Sequence, residues 1–208
     1  MMAATLAAEL MSRCNPRAPE EALNAQRDLV MRAAAGDNEA FSELVRKHEA
    51  KLFNFVRLRV RHHELAEDIT QEVLVKAYTN LKRLRSAEKF KSWLFSIAHN
   101  HLRDLLRRKH INEADVEESH VEVYVDEEGP QAVVEQRNRQ AIVSACLAKL
   151  APEQREALVL CDIEGMSYRE IAAITRVPLG TVQSRIFYAR RRMREILTKE
   201  PGFWRKEL

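Results

Sequence analysis

The chain has 208 residues, 46% of them hydrophobic and 31% charged, which is the composition of a soluble globular protein. Only five Gly and six Pro accompany abundant Ala, Leu, Arg and Glu, and this favours helices over sheet. No apolar run approaches the roughly 20 residues that a membrane span needs. No basic region precedes the mildly apolar N-terminus, so we expect no cleaved signal peptide.

The N-terminal half shows apolar residues at helical spacing. Residues 1–26 are expected to be a poorly ordered extension, because Pro16 and Pro19 discourage a continuous helix. After it the spacing predicts helices at about 27–35, 38–56, 64–80 and 90–109. Gly36 suits the C-cap of the first helix and Asp37 the N-cap of the second. Residues 27–110 are therefore expected to form one small helical domain.

Two of these helices carry further expectations. In the third helix, the residues predicted to face inward are Leu65, Ile69, Val73, Ala77 and Tyr78. In the fourth, Trp93 lies among apolar neighbours, which favours a core position over a stacking role. His99 and His101 splay about 200° apart on a helix, which excludes a metal pair and predicts surface or DNA-proximal positions.

The segment that follows is strongly acidic. Between Ile111 and Glu128 it carries eight carboxylates and no Lys or Arg, a charge of −8. The rest of the chain has 34 cations against 23 anions, a balance of +11 within a net charge of +3. This contrast indicates two nucleic-acid-facing parts joined by a linker, predicted over 111–135, that must avoid or imitate nucleic acid.

A second helical domain is predicted over 136–199, with a short tail over 200–208. Its first helix ends before Pro152, and its second runs over about 153–162. Cys146 and Cys161 fall within these helices and are expected to be small core residues. With Cys14 they make three cysteines without CxxC spacing. This predicts neither a disulfide framework nor a zinc site, and it favours the reducing cytoplasm.

The segment 166–197 has the pattern of two short helices joined by a tight turn. Ser167 and Glu170 are spaced as a capping box, so the first of these helices should begin at Tyr168. Pro178 suits the N1 position of the second helix. The stripe that this second helix is expected to bury consists of Val182, Ile186 and Ala189.

The remaining side chains of the second helix are rich in hydroxyl, amide and guanidinium groups, and a run of arginines ends it. Such a helix pair is a helix-turn-helix, whose second helix lies in the DNA major groove. The alternative is an ordinary helical hairpin with a solvated face. The arginine run, suited to phosphates, favours DNA binding.

Five motifs occur in a fixed order: GDNEAFSELV, AEDITQEVLVKAY, FKSWLFSIAHNHLRDLLRR, LAPEQREALVL and the helix-turn-helix. From 28 to 197 the chain thereby resembles the bacterial extracytoplasmic-function (ECF) RNA polymerase sigma factors. The resemblance implies an all-α protein of two small helical domains joined by an acidic flexible linker, the C-terminal domain carrying the helix-turn-helix. It also implies a subunit without catalytic chemistry or cofactor, which directs core polymerase to −35 and −10 promoter elements and promotes DNA melting.

The resemblance assigns roles to exposed positions. In the family, the segment similar to the third helix docks on the clamp helices of the largest polymerase subunit. The matching residues, which helical spacing turns away from the core, are Asp68, Gln71, Glu72, Val75 and Lys76. The element similar to the helix-turn-helix reads duplex −35 DNA. The matching residues are Thr181, Gln183, Ser184 and Arg185, with Arg190 and Arg191 as phosphate contacts.

The fourth helix resembles the element that melts and reads the −10 sequence. Captured bases are held by stacking and by hydrogen bonds to their edges, beside a cationic track. Asn100 is the candidate for a base edge, and the loop 82–89 for the wall of a base pocket. The candidates for phosphate contacts are Lys91, Arg103, Arg107 and Arg108.

The resemblance implies partners as well: core polymerase through its clamp helices and flap, promoter DNA, and an anti-sigma factor. It places the acidic linker in the basic cleft of the polymerase. Two other functions are weighed against it, a stand-alone helix-turn-helix regulator and a decoy that titrates an anti-sigma factor. An enzyme is disfavoured, since the sequence has no phosphate loop, HExxH or GxSxG element.

Overall fold

The computed structural model describes residues 20–60, 62–110 and 142–199. These ranges form helices and turns, without a strand, which confirms the all-α prediction. The acidic linker predicted at 111–135 lies outside the described residues, as do positions 1–19 and the tail at 200–208. In the described ranges, no helix combines the length and apolarity that crossing a membrane requires.

Four helices form the N-terminal domain: α1 (Glu20–Ala34), α2 (Asn38–Val60), α3 (His63–Asn80) and α4 (Phe90–His110). Two 3₁₀ turns, Leu81–Arg83 and Ala87–Lys89, lie where a charged loop was expected. Helix α2 packs between α1 and α3, and α4 packs against both α2 and α3. The fully buried side chains at the centre of this domain include Leu44, Leu52, Val56, Ile69, Val73, Leu94 and Phe95.

Helix α1 begins at Glu20, so the expectation that residues up to 26 lie outside a helix is wrong for 20–26. Both prolines of this region precede the helix, and proline interrupts a helix only from inside it. Burial of Leu29, Val30 and Ala33 holds α1 on the domain. As predicted, Gly36 closes the helix with a positive φ of 104°.

Asp37 caps α2 as predicted. Its Oδ1 accepts the backbone N–H groups of Ala40 and Glu39, each at 3.0 Å, and its Oδ2 receives Arg32 Nη2 at 2.6 Å. The hydrogen bond from Ala40 and the contact with Arg32 hold the pKa of the Asp37 carboxyl below its ordinary value. The cap therefore keeps its charge and satisfies the first N–H groups of α2.

Tyr78 does not face inward, contrary to prediction. It is 48% exposed, its ring meets Phe41 edge-on at 4.9 Å, and its hydroxyl donates to Asn38 Oδ1 at 2.8 Å. Position 78 lies about 100° around the helix from buried Ala77, so only one of the two can lie on the stripe. Tyr78 joins α3 to the start of α2 at the surface.

The C-terminal domain contains α5 (helical over 142–148), α6 (Pro152–Leu158), α7 (Tyr168–Thr175) and α8 (Leu179–Leu197). A π-helical turn, Val159–Ile163, extends α6. Helix α8 begins one residue later than predicted, because Pro178 adopts extended backbone angles and occupies the N-cap position. Cys146 and Cys161 are buried, as expected.

The first helix of the helix-turn-helix begins as predicted, and the second buries the predicted stripe. Ser167 Oγ accepts the Glu170 N–H at 3.3 Å, and Glu170 Oε2 accepts the Ser167 N–H at 2.9 Å, which completes the capping box. The stripe that α8 buries consists of Val182, Ile186, Ala189, Met193 and Ile196. The rest of the α8 surface is left for other contacts.

Arg155 is buried and bonded to backbone carbonyl groups, a role that was not predicted from the sequence. Its guanidinium donates to the carbonyl oxygens of Leu147, Ala148 and Leu150 at 2.8–2.9 Å, which satisfies acceptors at the end of α5. It also donates to Leu58 O of α2 at 2.7 Å. Arg155 thus holds the C-terminal domain together and touches the N-terminal one.

The two domains lie against each other. Helix α7 of the helix-turn-helix packs on α4, and α6 approaches α2. This contact determines which side chains of α4 face solvent.

Candidate polymerase and nucleic-acid interfaces

The five polymerase-binding candidates all lie on the exposed face of α3. Three acidic or amide side chains, Asp68, Gln71 and Glu72, lie within two turns on the N-terminal side of Val75, which is 62% exposed. The buried residues of the helix lie on its opposite side. An apolar centre with a polar, negatively charged rim is a surface suited to a protein partner with basic groups.

His101 of α4 connects to the edge of this face. Lys76 Nζ is hydrogen-bonded to His101 Nδ1, and His101 Nε2 lies 3.1 Å from Glu72 Oε2. The ring therefore orders two of the five candidates on α3. His101 lies at the junction of α3 and α4, a position that its place in the sequence alone did not reveal.

A cleft of about 380 Å³ lies between α3 and α4. The cleft is lined by Lys76, Asn80, Arg83, Trp93, Ile97, Asn100, His101 and Asp104. Asn100 Nδ2 donates to Ser96 O at 2.7 Å, while its buried Oδ1 has no hydrogen-bond partner among the described residues. Trp93 packs against the core, as expected, and also forms a wall of the cleft. The cleft thus offers an aromatic wall, an acceptor and cations.

Three of the −10 candidates share one face of α4, because Asn100, Arg103 and Arg107 follow one another at helical spacing. Asn100 lines the cleft beside α3, and Arg103 and Arg107 are exposed. Lys91 lies on the opposite face of the helix. Lys91 is 27% exposed on its side chain, and its Nζ lies 2.9 Å from Glu164 Oε2 of the C-terminal domain. Arg108 belongs to α4, but its side chain lies outside the described residues.

His99 is buried between the domains, which corrects the expectation of a surface position. Its Nδ1 lies 2.6 Å from Glu156 Oε1, and Glu156 Oε2 lies 3.2 Å from Arg59 Nη1. The periodicity of α4 places His99 beside the core stripe, and the second domain covers what the first leaves open. Sequence reasoning within one domain has no signal for this.

The base-reading candidates on α8 lie at its N-terminal part. Gln183 and Ser184 are exposed, whereas Thr181 and Arg185, one helical turn apart, are half-buried on the same side of the stripe. Ser184 Oγ donates to Gly180 O at 2.9 Å, so its lone pairs remain available as acceptors. These side chains belong to the first two turns of the helix, the part that a recognition helix inserts into the groove.

The two phosphate candidates of α8 differ. Arg191 is exposed and makes a 3.3 Å surface contact with Glu195. Arg190 is engaged within the domain, since its Nη2 lies 2.6 Å and its Nε 3.1 Å from the two oxygens of Asp162. This bidentate pair fixes α8 to the π-helical turn.

An exposed aromatic pair on α8 adds to the site that the sequence indicated. Phe187 and Tyr188 are 64% and 54% exposed, and their ring centroids lie 5.4 Å apart. Phe187 follows Gln183 by one helical turn, and Tyr188 follows Ser184. The sequence indicated this exposure, because neither aromatic residue belongs to the buried stripe of Val182, Ile186 and Ala189.

The geometry thus defines a helical protein of two domains. The N-terminal domain has an exposed polar face on α3, and the C-terminal domain carries a helix-turn-helix. Residues 44–110 match the family Sigma-70 region 2, and residues 140–193 match Sigma-70, region 4. The chain is 34% identical over 170 residues to the ECF RNA polymerase sigma-E factor of Escherichia coli (strain K12), with 78% of this chain and 88% of that protein covered.

A second relative is the ECF RNA polymerase sigma factor SigE of Mycolicibacterium smegmatis, 36% identical over 171 residues, with 80% of this chain and 66% of that protein covered. Among solved structures, the sigma factor RpoE in complex with the anti-sigma factor NepR from Bartonella quintana matches with a TM-score of 0.63 and 27% identity. That match covers 77% of this chain and 98% of the other. The chain belongs to the ECF RNA polymerase sigma factors.

Proposed function

We propose that this sigma factor divides its work among three surfaces. The exposed face of α3 docks on core polymerase, α4 with its cleft handles the −10 element, and α8 reads the −35 element. The observation that most supports this proposal is that all five polymerase-binding candidates lie exposed on one face of α3, inside the segment that matches region 2.

The cleft between α3 and α4 is the proposed place for an unpaired −10 base. Within the part of the chain that the structure describes, Asn100 Oδ1 is a buried acceptor without a partner, and such an atom gains most from a ligand that donates a hydrogen bond. An exocyclic amine of adenine or cytosine is such a donor. Trp93 supplies an apolar wall, and Arg83 and Lys76 supply charge for the backbone of the strand.

The partners proposed for this chain are core polymerase, through its clamp helices and flap, promoter DNA and an anti-sigma factor that covers the polymerase-binding faces. A sigma factor in complex with an anti-sigma factor is among the similar structures. The proposed site of action is the cytoplasm, where polymerase and promoter are found. Sigma factors are transcription initiation factors, and the proposal gives this chain no catalytic step of its own.

The experiment that tests this function is run-off transcription by purified core polymerase, with and without the protein, on its own upstream region and on a genomic fragment pool. Discrete transcripts that require the protein are the expected result. A footprint that needs no polymerase would favour a stand-alone regulator. If neither is seen while the protein still captures an anti-sigma factor, the decoy function takes its place.

Reversing charge on the α3 face is the sharpest test of the docking surface. We expect Asp68→Arg combined with Glu72→Arg to abolish binding to core polymerase, because the rim then repels the basic groups that it should attract. Co-purification with tagged core enzyme measures the loss. The helix itself should survive, since both side chains are exposed.

The matched control reverses an Asp and a Glu that are exposed elsewhere in the same domain, Asp28 on α1 and Glu49 on α2. Asp28→Arg with Glu49→Arg changes the net charge by the same amount and should leave core binding intact. Equal loss in both double variants would show that bulk charge matters and the α3 face does not. Intact binding of the first variant would place the docking surface elsewhere.

A further inference from the structure

His101 of α4 contacts two charged residues of the α3 docking face. Glu72 and Lys76 lie one helical turn apart on α3, the spacing at which a Glu and a Lys can pair directly. In the structure the imidazole ring contacts both of them, since Lys76 Nζ is hydrogen-bonded to Nδ1 and Glu72 Oε2 lies 3.1 Å from Nε2. One ring of a neighbouring helix thus holds two opposite charges of the docking face.

The ring is well covered, whereas the carboxylate that it holds is exposed. The side chain of His101 is 15% exposed and that of Glu72 is 59% exposed. A long side chain at an exposed position samples many rotamers, and fixing it when a partner binds lowers the affinity. A covered ring that restricts Glu72 before any partner arrives therefore preorganises the carboxylate for a basic group.

The contacts define the protonation state in which the ring can do this. An ammonium group has donors and no acceptor, so Nδ1 accepts from Lys76 and the neutral ring carries its proton on Nε2, the nitrogen next to Glu72. An imidazolium would place a second N–H group against the ammonium of Lys76 and a positive charge beside Glu72. The charged ring therefore releases Lys76 and cancels the negative charge that should attract the partner.

The other charged groups near the ring border the cleft between α3 and α4. Asp104, on the next turn of α4, and Arg83, in the 3₁₀ turn after α3, line this cleft together with His101 and Lys76. Asp104 and Arg83 have opposite charges, as do Glu72 and Lys76. Among these residue types, only histidine ordinarily changes its charge between about pH 5 and 8.

We propose that His101 is a positioning residue for polymerase docking, which acts through Glu72 and Lys76 as the neutral ring with its proton on Nε2. The proposal rests on the proposed function of the α3 face and adds a residue of α4 to it. It requires docking to be tighter at mildly alkaline pH, where the ring is neutral, than in mild acid.

The test is the Kd of the full-length protein for immobilised core polymerase, measured by biolayer interferometry at pH 8 and pH 6. At pH 8, His101→Ala should weaken binding about fivefold, because Glu72 and Lys76 are no longer ordered. His101→Gln should restore the affinity, since its amide offers an acceptor to Lys76 and a donor to Glu72. Unchanged binding by His101→Ala, or a loss that His101→Gln does not restore, would overturn the proposal.

The pH dependence separates positioning from a merely structural role. The wild-type protein should bind more weakly at pH 6 than at pH 8, whereas His101→Gln takes up no proton and should change less. Titration of the polymerase itself affects every variant equally. His63→Gln is the matched control, because His63 is an exposed histidine of the same domain that pairs with Glu67, and it should behave as wild type. Equal pH dependence in wild type and His101→Gln would contradict the proposal.

A double-mutant cycle distinguishes failure of this proposal from failure of the proposed function. In a Glu72→Gln background, His101→Ala should weaken core binding less than it does in the wild type, because one of its two partners has lost its charge. Fully additive losses would show that His101 does not act through Glu72. If Glu72→Gln and the charge reversal on α3 both leave core binding intact, the docking surface itself is wrong. If they weaken binding and His101→Ala does not, the positioning role alone fails.

Discussion

The two helices that are proposed to contact DNA, α4 and α8, differ in what else they contact. Helix α8 buries one stripe against its own domain and leaves Gln183, Ser184 and the Phe187–Tyr188 pair to solvent. Helix α4 buries its stripe and also receives a second domain along one flank, where Lys91 and His99 are engaged. The surface that is proposed to read duplex DNA on α8 is thus exposed. On α4 the cleft beside Asn100 is open as well, and only the flank that carries Lys91 and His99 is covered by the second domain.

This difference matches the substrates proposed for the two helices. Duplex −35 DNA exists before polymerase acts, so a surface that reads it needs no rearrangement. Unpaired −10 DNA arises only during melting, and a base must leave the stack to enter the cleft beside Asn100. The cleft that is proposed to receive the base lies away from the covered flank of α4, so capture of the strand depends on melting of the duplex.

The largest effect in this comparison is expected for Arg185→Ala, which tests whether α8 reads bases of the −35 element. Arg185→Ala should weaken binding to the −35 element by about 1–3 kcal/mol if the guanidinium makes a bidentate base contact, and discrimination at one base pair should relax. Competition binding of the polymerase holoenzyme to a set of single-base −35 variants measures both quantities.

Arg191→Ala is the matched control on the same helix. Its side chain is exposed and proposed to contact phosphate, so its loss should weaken all sequences about equally and reduce the salt slope by about 1. If Arg185→Ala behaves in this uniform way as well, Arg185 does not read a base. If Arg191→Ala changes base preference, Arg191 contacts a base and is not limited to phosphate.

The sequence predicted the helices and their faces well, because the spacing of apolar residues reports which side of a helix is buried within its own domain. The capping box at Ser167 and the stripe of α8 are examples. It failed for His99 and for the partner of Lys91, because the cover on α4 comes from residues about 60–70 positions away. Contact between domains has no local period, so no pattern in α4 indicates it.

Arg155 and Asp162 show the same limit on a smaller scale. An arginine in the motif LAPEQREALVL reads as a surface residue, yet Arg155 is buried against four carbonyl oxygens. Asp162 engages Arg190, one of the residues assigned to phosphate by resemblance. Residue type predicts what a side chain can bind, and only the fold determines which partner reaches it first.

An effect of intermediate size is expected for the packing of α4: acidic pH should lower the free energy of unfolding. His48 of α2 packs against Phe90 at the start of α4, and burial, reinforced by Lys91, Lys51 and Lys47, lowers its pKa to about 4. In the unfolded chain the pKa is near the ordinary 6.5. Between these values the unfolded state binds the proton and the folded state does not, so stability falls as pH drops below about 6.5.

At about 1.4 kcal/mol per pH unit, the loss from this histidine between pH 7 and pH 5 should be about 2 kcal/mol. Chemical denaturation at both pH values measures it. His48→Gln has no proton to take up and should show a pH dependence smaller by this amount. Identical pH dependence in the two proteins would mean that His48 does not resist protonation in the fold.

The smallest effect concerns the turn that aims α8. Arg176 ends α7 in the left-handed conformation, with φ 57° and ψ 39°, where a side chain costs about 1 kcal/mol and glycine does not. Arg176→Gly should therefore raise the free energy of unfolding by about 1 kcal/mol, measured by chemical denaturation, while −35 binding is retained. Gly165→Ala is the matched control. Its φ is 65°, and no described atom lies within 4 Å of the position of an added Cβ, so the expected loss of about 1 kcal/mol comes from backbone strain alone. A less stable Arg176→Gly would show that the arginine side chain stabilises the turn by more than its backbone strain costs.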